Sequence, residues 1–238
     1  MEKRVVVVTG ASGNIGLGIT RRLVSEGFSV AAVVNQSNPF SEEPPHNLKV
    51  ARADFSDPKS VDECAKAVIT DNRSIYGLVN CAGVAYGAPA LMTPRAELER
   101  IFAVNYFSTV AFTQKIVKRM IRAKEGAIVN IASTAATLSD KGTLAYGASK
   151  AAMLHSTRVM AAEFGAYGIR VNAVTPAVVK TRMGALMDEE AINALIDRAF
   201  LSGDIEVADV VDSVCFLLSD RARSITGQSL VVDRGITV

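Results

Sequence analysis

Seven short apolar blocks, spaced by helix-like segments, constrain the fold of this 238-residue chain more than any other feature. They are "RVVVVT" (4–9), "SVAAVV" (29–34), "LKVARAD" (48–54), "IYGLVN" (75–80), "GAIVNIAS" (126–133), "IRVNAVTP" (169–176) and "SLVVD" (229–233). Continuous apolar, β-branched runs of this length are what strands buried on both faces require. Between them the pattern becomes helical. Residues 16–27 put Ile19, Leu23 and Val24 on one face and stop at Gly27. Asp57-Pro58 reads as a cap followed by Pro at the first helical position, opening a helix to about Thr70. Thr93-Pro94 repeats that signal before a helical region over 95–123. Further helices are expected over 145–168 and 206–218, with one or two short ones in 183–200. The polar, Pro-containing stretch 35–46 takes the place of a helix and reads as a loop. Strands alternating with helices imply βαβ crossovers and a parallel sheet. The expected fold is α/β: a single doubly wound, Rossmann-type domain over 1–238, with about seven parallel strands and helices on both faces.

Charge and cysteine content exclude several functions. The net charge is +2, which gives no reason to invoke nucleic acid or a membrane surface as partner. Cys64, Cys81 and Cys215 are widely spaced, and His46 and His155 do not complete any metal-ligand spacing. No metal is expected, and each cysteine reads as a small buried residue. No secretory signal is seen, and no apolar run approaches the roughly 18 residues of a spanning helix. A cytoplasmic location follows as the expectation.

The first strand leads into "TGASGNIGLG" (9–18). The Walker A form fails because Gly18-Ile19-Thr20 stands where a Gly-Lys-Ser/Thr would be. The GxGxxG form fails as well, because Arg21 occupies its last glycine. What remains is Gly10 and Gly16 between a strand and a helix. That context suits a dinucleotide pyrophosphate at the helix N-terminus. Close strand–helix packing would explain Gly16 equally well.

"YGASK" (146–150) places Tyr146 and Lys150 on one helix face, about 6 Å apart along the axis. A phenol titrates near 10 in water, and a neighbouring ammonium stabilises its ionised form. Such a pair exchanges protons with an alcohol or ketone oxygen, although a solvent-facing Tyr–Lys pair has the same spacing. Ser133 closes the fifth strand at the carboxyl edge, where ligands bind in this architecture, and its hydroxyl can donate to a developing oxyanion.

Together these motifs resemble the short-chain dehydrogenase/reductase family in its single-domain branch. "TGASGNIG" is similar to its TGxxxGxG turn, with Asn14 on the middle glycine. The offset from Ser133 to Tyr146, "NCAG" (80–83), Asn105 in "FAVN" and "VNAVTP" (171–176) match in order. The resemblance implies that Tyr146 passes the proton, Ser133 binds the same substrate oxygen, and Lys150 lowers the Tyr146 pKa and binds the nicotinamide ribose. Asn105 would hold a water that relays protons. For the cofactor it implies Gly10, Ser12, Asn14, Ile15 and Gly16 at the pyrophosphate, and Asp54 and Phe55 at the adenine. Asn80, Ala82 and Gly83 would pass the adenine ribose and back the nicotinamide half, and Pro176, Val179 and Thr181 would clamp the carboxamide. Asn14 is expected to carry positive φ or to cap the loop with its side chain. Arg234 stands where the family carries Gly, and a subunit interface is one use for it.

NAD preference requires an acid at the end of the second strand. Here Val34 is followed by Asn35, so a 2′-phosphate is not repelled, and NADP(H) is favoured over NAD(H). The basic residue that often meets this phosphate is missing, leaving Ser12, Asn35, Gln36 and Ser37 as partners. Residues 183–203 are expected to form a substrate lid, with Met183, Leu186, Met187, Leu195 and Phe200 as apolar contacts. "SDKGTLA" (139–145) would form another wall.

The nearest likeness is to 3-oxoacyl-[acyl-carrier-protein] reductases, with Arg119, Arg122 and Lys124 as candidate contacts to an acidic carrier. Tyr167 takes the place of a basic residue often used there. A dehydrogenase of a sugar or other small secondary alcohol stays open, as does a non-catalytic nucleotide sensor. The resemblance also implies a homo-oligomer, tetramer or dimer, paired through helices near 104–122 and 146–165.

Overall fold

In β1 (Val5–Thr9), Val6 and Val8 enter the core on one face of the sheet and Val7 the core on the other, all fully buried. A strand with a core on each side has no solvent face, hence its unbroken valines. The computed structural model describes residues 4–40, 44–72, 74–179, 181 and 189–238. The other strands are β2 (Ser29–Val34), β3 (Leu48–Arg52), β4 (Gly77–Asn80), β5 (Gly126–Ile131), β6 (Ile169–Pro176) and β7 (Ser229–Val232). All pair in parallel in the order β3-β2-β1-β4-β5-β6-β7. The expected doubly wound, seven-stranded architecture is therefore the observed one.

Helices cover both faces: α1 (Asn14–Ser25) and α7 (Val207–Leu218) on one, α2 (Pro58–Asp71), α4 (Thr109–Ala123) and α5 (Leu144–Phe164) on the other. Two shorter helices are α3 (Arg95–Phe102) and α6 (Glu189–Ile196). Asp57 caps α2 as expected, accepting from the Lys59 amide, with Pro58 at the first helical position. The described part of 35–46 is a loop. Cys64 is buried and Cys81 and Cys215 are half-buried; burial pushes their thiols up to about 11, about 11 and about 12.

Two helical expectations need correction. Thr93 does not cap the third helix: its hydroxyl donates to Ala88 O and Pro89 O, and Pro94 occupies the cap position with extended backbone. The region 95–123 is also not one α-helix. A π-helical segment, Ala103–Ser108, separates α3 from α4 and carries Asn105. Wider turns of this kind are concentrated at functional sites, and residue propensities do not reveal them.

Strand order reverses between β1 and β4, which opens the crevice where ligands bind in such sheets. One hydroxyl joins its two sides. Thr9 Oγ1, fully buried, accepts from the Cys81 amide at 3.0 Å and the Ala82 amide at 3.1 Å. Thr9→Val keeps the shape but strands two N–H groups. It should destabilise the protein by about 1–3 kcal/mol, read from the urea unfolding midpoint. A wild-type midpoint would show that the two bonds contribute nothing net.

Candidate active site

The glycine turn is shaped by backbone contact. Gly10 has φ +64, and a Cβ there would lie 2.8 Å from Ala82 Cα and N. A Cβ on Gly16 would lie 2.3 Å from Gly10 O. Neither position tolerates a side chain, so α1 starts directly against the ends of β1 and β4. Gly13, extended at φ −78, is the N-cap of α1, and the first turn of the helix carries no acid. The amide groups that open α1 thus face the crevice without a competing carboxylate, which is the donor set a pyrophosphate needs. A Cβ on Gly83 would lie 3.3 Å from Asn105 Oδ1 and 3.5 Å from Lys150 Nζ, so this glycine keeps the space above both open. These features fit a dinucleotide.

The expectation of positive φ at Asn14 fails. Asn14 is the first residue of α1, and the residues with positive φ do not include it. Gly10 supplies the left-handed step and Gly13 the cap, so position 14 needs only helical backbone. Asn14 is exposed and lines a cavity of about 540 Å³ with Val179 and Thr181, two further cofactor candidates. Ser12 and Ile15 lie in the same turn, and Ile15 packs against the core.

Other cofactor candidates divide by side chain. Asp54 is half-buried, and its Oδ1 accepts from the Ser56 amide and hydroxyl, which hold the carboxyl below its ordinary range. Two candidates cannot use their side chains. Phe55 is buried against Phe112, with ring centroids 5.8 Å apart. The Asn80 amide is buried and donates to Thr113 Oγ1 and Asn130 Oδ1, tying β4 to α4 and β5. At both positions only the backbone remains for a ligand. Pro176 ends β6 opposite Val232, and Ala177 N donates to Val232 O.

Sequence reasoning missed Arg52. It ends β3 directly opposite Val34 of β2, and its Nη1 donates to Asn35 O at 3.0 Å and Gln36 O at 2.9 Å. The exposed guanidinium is therefore held at the end of β2, where a basic residue had been judged missing. Only the β2–β3 register reveals this, because Arg52 lies 17 residues from Asn35 in the chain.

The proton-transfer candidates meet at the carboxyl edge of β5. Ser133 caps the short helical turn 134–136, and its Oγ accepts from the Ala135 amide at 3.2 Å. The hydroxyl keeps its hydrogen for donation. The Tyr146 phenol lies close enough to Ser133 for that side chain to favour its ionised form. Lys150 is buried, donates to Ile131 O at 2.8 Å, and sits 5.7 Å over the Tyr146 ring centroid. Burial pushes the Tyr146 phenol above its ordinary value and Ser133 pulls against that. Burial lowers Lys150 to about 8. Desolvation dominates for both groups.

Asn105 bonds through both ends of its side-chain amide. Its Oδ1 accepts from Val84 N, and its Nδ2 donates to Val84 O and to Ser149 Oγ. Its side chain fixes the β4 loop and α5 relative to each other.

Among the lid residues, Met183, Leu186 and Met187 lie outside the described residues. Leu195 lines the cavity with Ile192, Ile196 and Ile205. Phe200 does not: it is 72 % exposed, with its ring against Gly235. Arg198 Nη1 bridges to Asp140 Oδ1 at 3.2 Å, tying the segment after α6 to the 139–145 wall. Of the carrier candidates, Arg119 donates to Ile69 O at the end of α2. Arg122 and Lys124 are exposed just before β5, at the opposite sheet edge from Ser133 within this chain.

Gly147 explains how Tyr146 reaches Ser133. A Cβ there would lie 2.5 Å from Ala135 O, so α5 packs directly on the turn that Ser133 caps. Gly147→Ala must move backbone against backbone and separate the two hydroxyls. Its turnover should fall at least about tenfold in steady-state assays, because displacements near 1 Å carry costs of that size. Unchanged turnover would show that this close approach is not required.

The sequence matches, over residues 10–237, the family described as Enoyl-(Acyl carrier protein) reductase. D-threitol dehydrogenase of Mycolicibacterium smegmatis is 34% identical, covering 100% of this chain and 94% of its own. Carbonyl reductase [NADPH] 2 of Sus scrofa is 36% identical, over 96% of this chain and 94% of its own. The 3-oxoacyl-[acyl-carrier-protein] reductase FabG of Staphylococcus epidermidis is 29% identical, over 97% of each. A solved short-chain type dehydrogenase/reductase from Mycobacterium ulcerans superposes with a TM-score of 0.89 at 28% identity, over 98% of this chain and 89% of that one. Glycine turn, Ser–Tyr–Lys cluster and full-length similarity lead to one conclusion: the chain belongs to the short-chain dehydrogenase/reductase family and is an oxidoreductase acting on CH–OH and C=O groups.

Proposed function

We propose that residues 1–238 work as one dinucleotide-binding and catalytic domain that uses NADP(H) to reduce a ketone to a secondary alcohol, with Tyr146 as the proton donor. The convergence of the Ser133 and Tyr146 hydroxyls beside Lys150 carries this reading. When bound, the nicotinamide supplies the hydride. Ser133 donates to the substrate oxygen and holds it within reach of the phenol. Tyr146, kept neutral by burial, gives that oxygen its proton. Lys150 is charged below about pH 8 and stabilises the phenolate that forms. Asn105 keeps α5 and the β4 loop in register. Tyr146→Phe should lower turnover by about 10²–10⁴-fold, the usual contribution of a positioned proton donor, while NADPH still binds. Retained turnover would sink the mechanism and favour a nucleotide-sensing role.

Arg52 supports the NADP(H) preference. Its guanidinium stands over the end of β2 with Nε and Nη2 unused among the described residues. Asp54, through Oδ2 and backbone, and the Phe55 amide are assigned to the adenine. Charge-assisted bonds to a phosphate contribute about 1.5–3 kcal/mol. Arg52→Ala should therefore cut the NADPH-over-NADH preference about tenfold or more. An unchanged ratio of the two dissociation constants would remove Arg52 from the cofactor site.

The substrate we favour is a 3-oxoacyl thioester, free or carried by an acyl carrier protein. The family description and the apolar cavity beneath α6 support it. A sugar or small polyol is supported by the D-threitol dehydrogenase relative, and by the distance of Arg122 and Lys124 from the site within one chain. Acetoacetyl thioesters assayed against ketoses with both cofactors separate the two. A cytoplasmic homo-oligomer, dimer or tetramer, completes the reading. Exposed Phe107 and Val159, beside and on the helices expected to pair, support the association.

A further inference from the structure

Arg234 is one of two non-glycine residues with positive φ among the described residues. The other, Lys124, is a helix C-cap, a common place for this conformation. Arg234 instead follows β7, at φ 56, in a conformation that L residues disfavour and glycine adopts freely. Its side chain makes specific use of that position. Nε and Nη2 donate to Asp204 O at 3.0 and 2.7 Å, and Nη1 donates to Ser202 O at 2.7 Å. The Arg234 carbonyl accepts from the amides of Phe200 and Leu201 at 2.9 and 3.1 Å. Gly203, at φ +93, makes the left-handed step between the two carbonyls that the guanidinium takes.

The base of this clamp is rigid. Asp233 is buried, and its carboxylate accepts from the Gly235 and Thr237 amides and the Thr237 hydroxyl. The turn is attached to β7, which is paired to β6. The clamped segment is the return from α6, and it forms one wall of the cavity through Ala199, Gly203, Asp204 and Ile205. Asn14, Val179 and Thr181 stand in the same lining and are carried by α1 and by the segment after β6.

We infer that Arg234 is a positioning residue for substrate binding. It fixes the wall made by α6 and residues 199–205 over the carboxamide end of the cofactor site. This inference rests on the site reading proposed above. It assigns Arg234 an intrachain role in place of the subunit contact that its sequence position had suggested.

Arg234→Gly removes the three side-chain bonds and relieves the left-handed backbone, so its melting temperature should stay close to wild type. With acetoacetyl-CoA or diacetyl as probe, whichever the wild type turns over faster, KM should rise about tenfold while kcat stays within about twofold. The NADPH dissociation constant should not change, and amide exchange over 199–205 should accelerate. Arg234→Lys, able to reach one carbonyl, should fall between the two. An unchanged KM, a fall in kcat alone, or a loss of activity that tracks a lower melting temperature would each overturn the inference. Tyr146→Phe, assayed alongside, separates the two ideas. If it still turns over, the site reading fails; if it is inactive while Arg234→Gly keeps a wild-type KM, only the Arg234 inference fails.

Discussion

Among the described glycines the closest approach is that of Gly16 to the carbonyl of Gly10, where a Cβ would come within 2.3 Å. Backbone meets backbone there, so the start of α1 is pressed onto the end of β1 with nothing between them. Thr9 extends the same contact to β4 by taking the amides of Cys81 and Ala82. Three chain segments therefore converge at the point where strand order reverses. The crevice is assembled by backbone geometry, and its donors are backbone amides that no substitution elsewhere in the chain removes.

A second close approach serves the chemistry. Gly147 lets α5 lie on Ala135 O, and that contact aligns Tyr146 with Ser133. The polar interior behind it has the same purpose. Asn80, Asn130, Thr113 and Thr157 link β4, β5, α4 and α5 through buried hydrogen bonds. These bonds hold the four elements in register, although Asn80 Oδ1 is buried without a partner among the described residues. Asn105 continues the linkage from its π-helical turn to Ser149 and the β4 loop. Residues that look like ligand contacts in the sequence thus include several that hold the frame.

The strands, their parallel pairing and the Ser–Tyr–Lys cluster were legible because each depends on local pattern: apolar runs alternating with helices, or a fixed helical spacing. What was not legible depends on partners distant in sequence. Arg52 reaches the end of β2 only through strand register. Arg234 meets residues 200–204 only because β7 ends beside them. Phe55 and Asn80 sit in motif positions, yet their side chains turn inward, and motif text does not encode direction. Asn14 illustrates the reverse case. A residue tolerant of positive φ stands at a position that does not need it, because Gly10 already makes the turn.

Electrostatics set the resting protonation of the proposed site. Burial disfavours charge on both Tyr146 and Lys150, raising the phenol and lowering the ammonium to about 8. At neutral pH the phenol is then un-ionised and the lysine still protonated. That pair holds a proton ready to give and a positive charge ready to meet the phenolate left behind. A ketone oxygen gaining negative charge as hydride arrives is the partner such a pair stabilises best, since the attraction grows as the reaction proceeds. Oxidation of an alcohol would begin from the ionised phenol, the form that burial opposes. The neutral phenol beside a charged lysine is the resting state from which the proposed carbonyl reduction starts. Alkaline conditions ionise the phenol but discharge Lys150 first, removing its support for the phenolate.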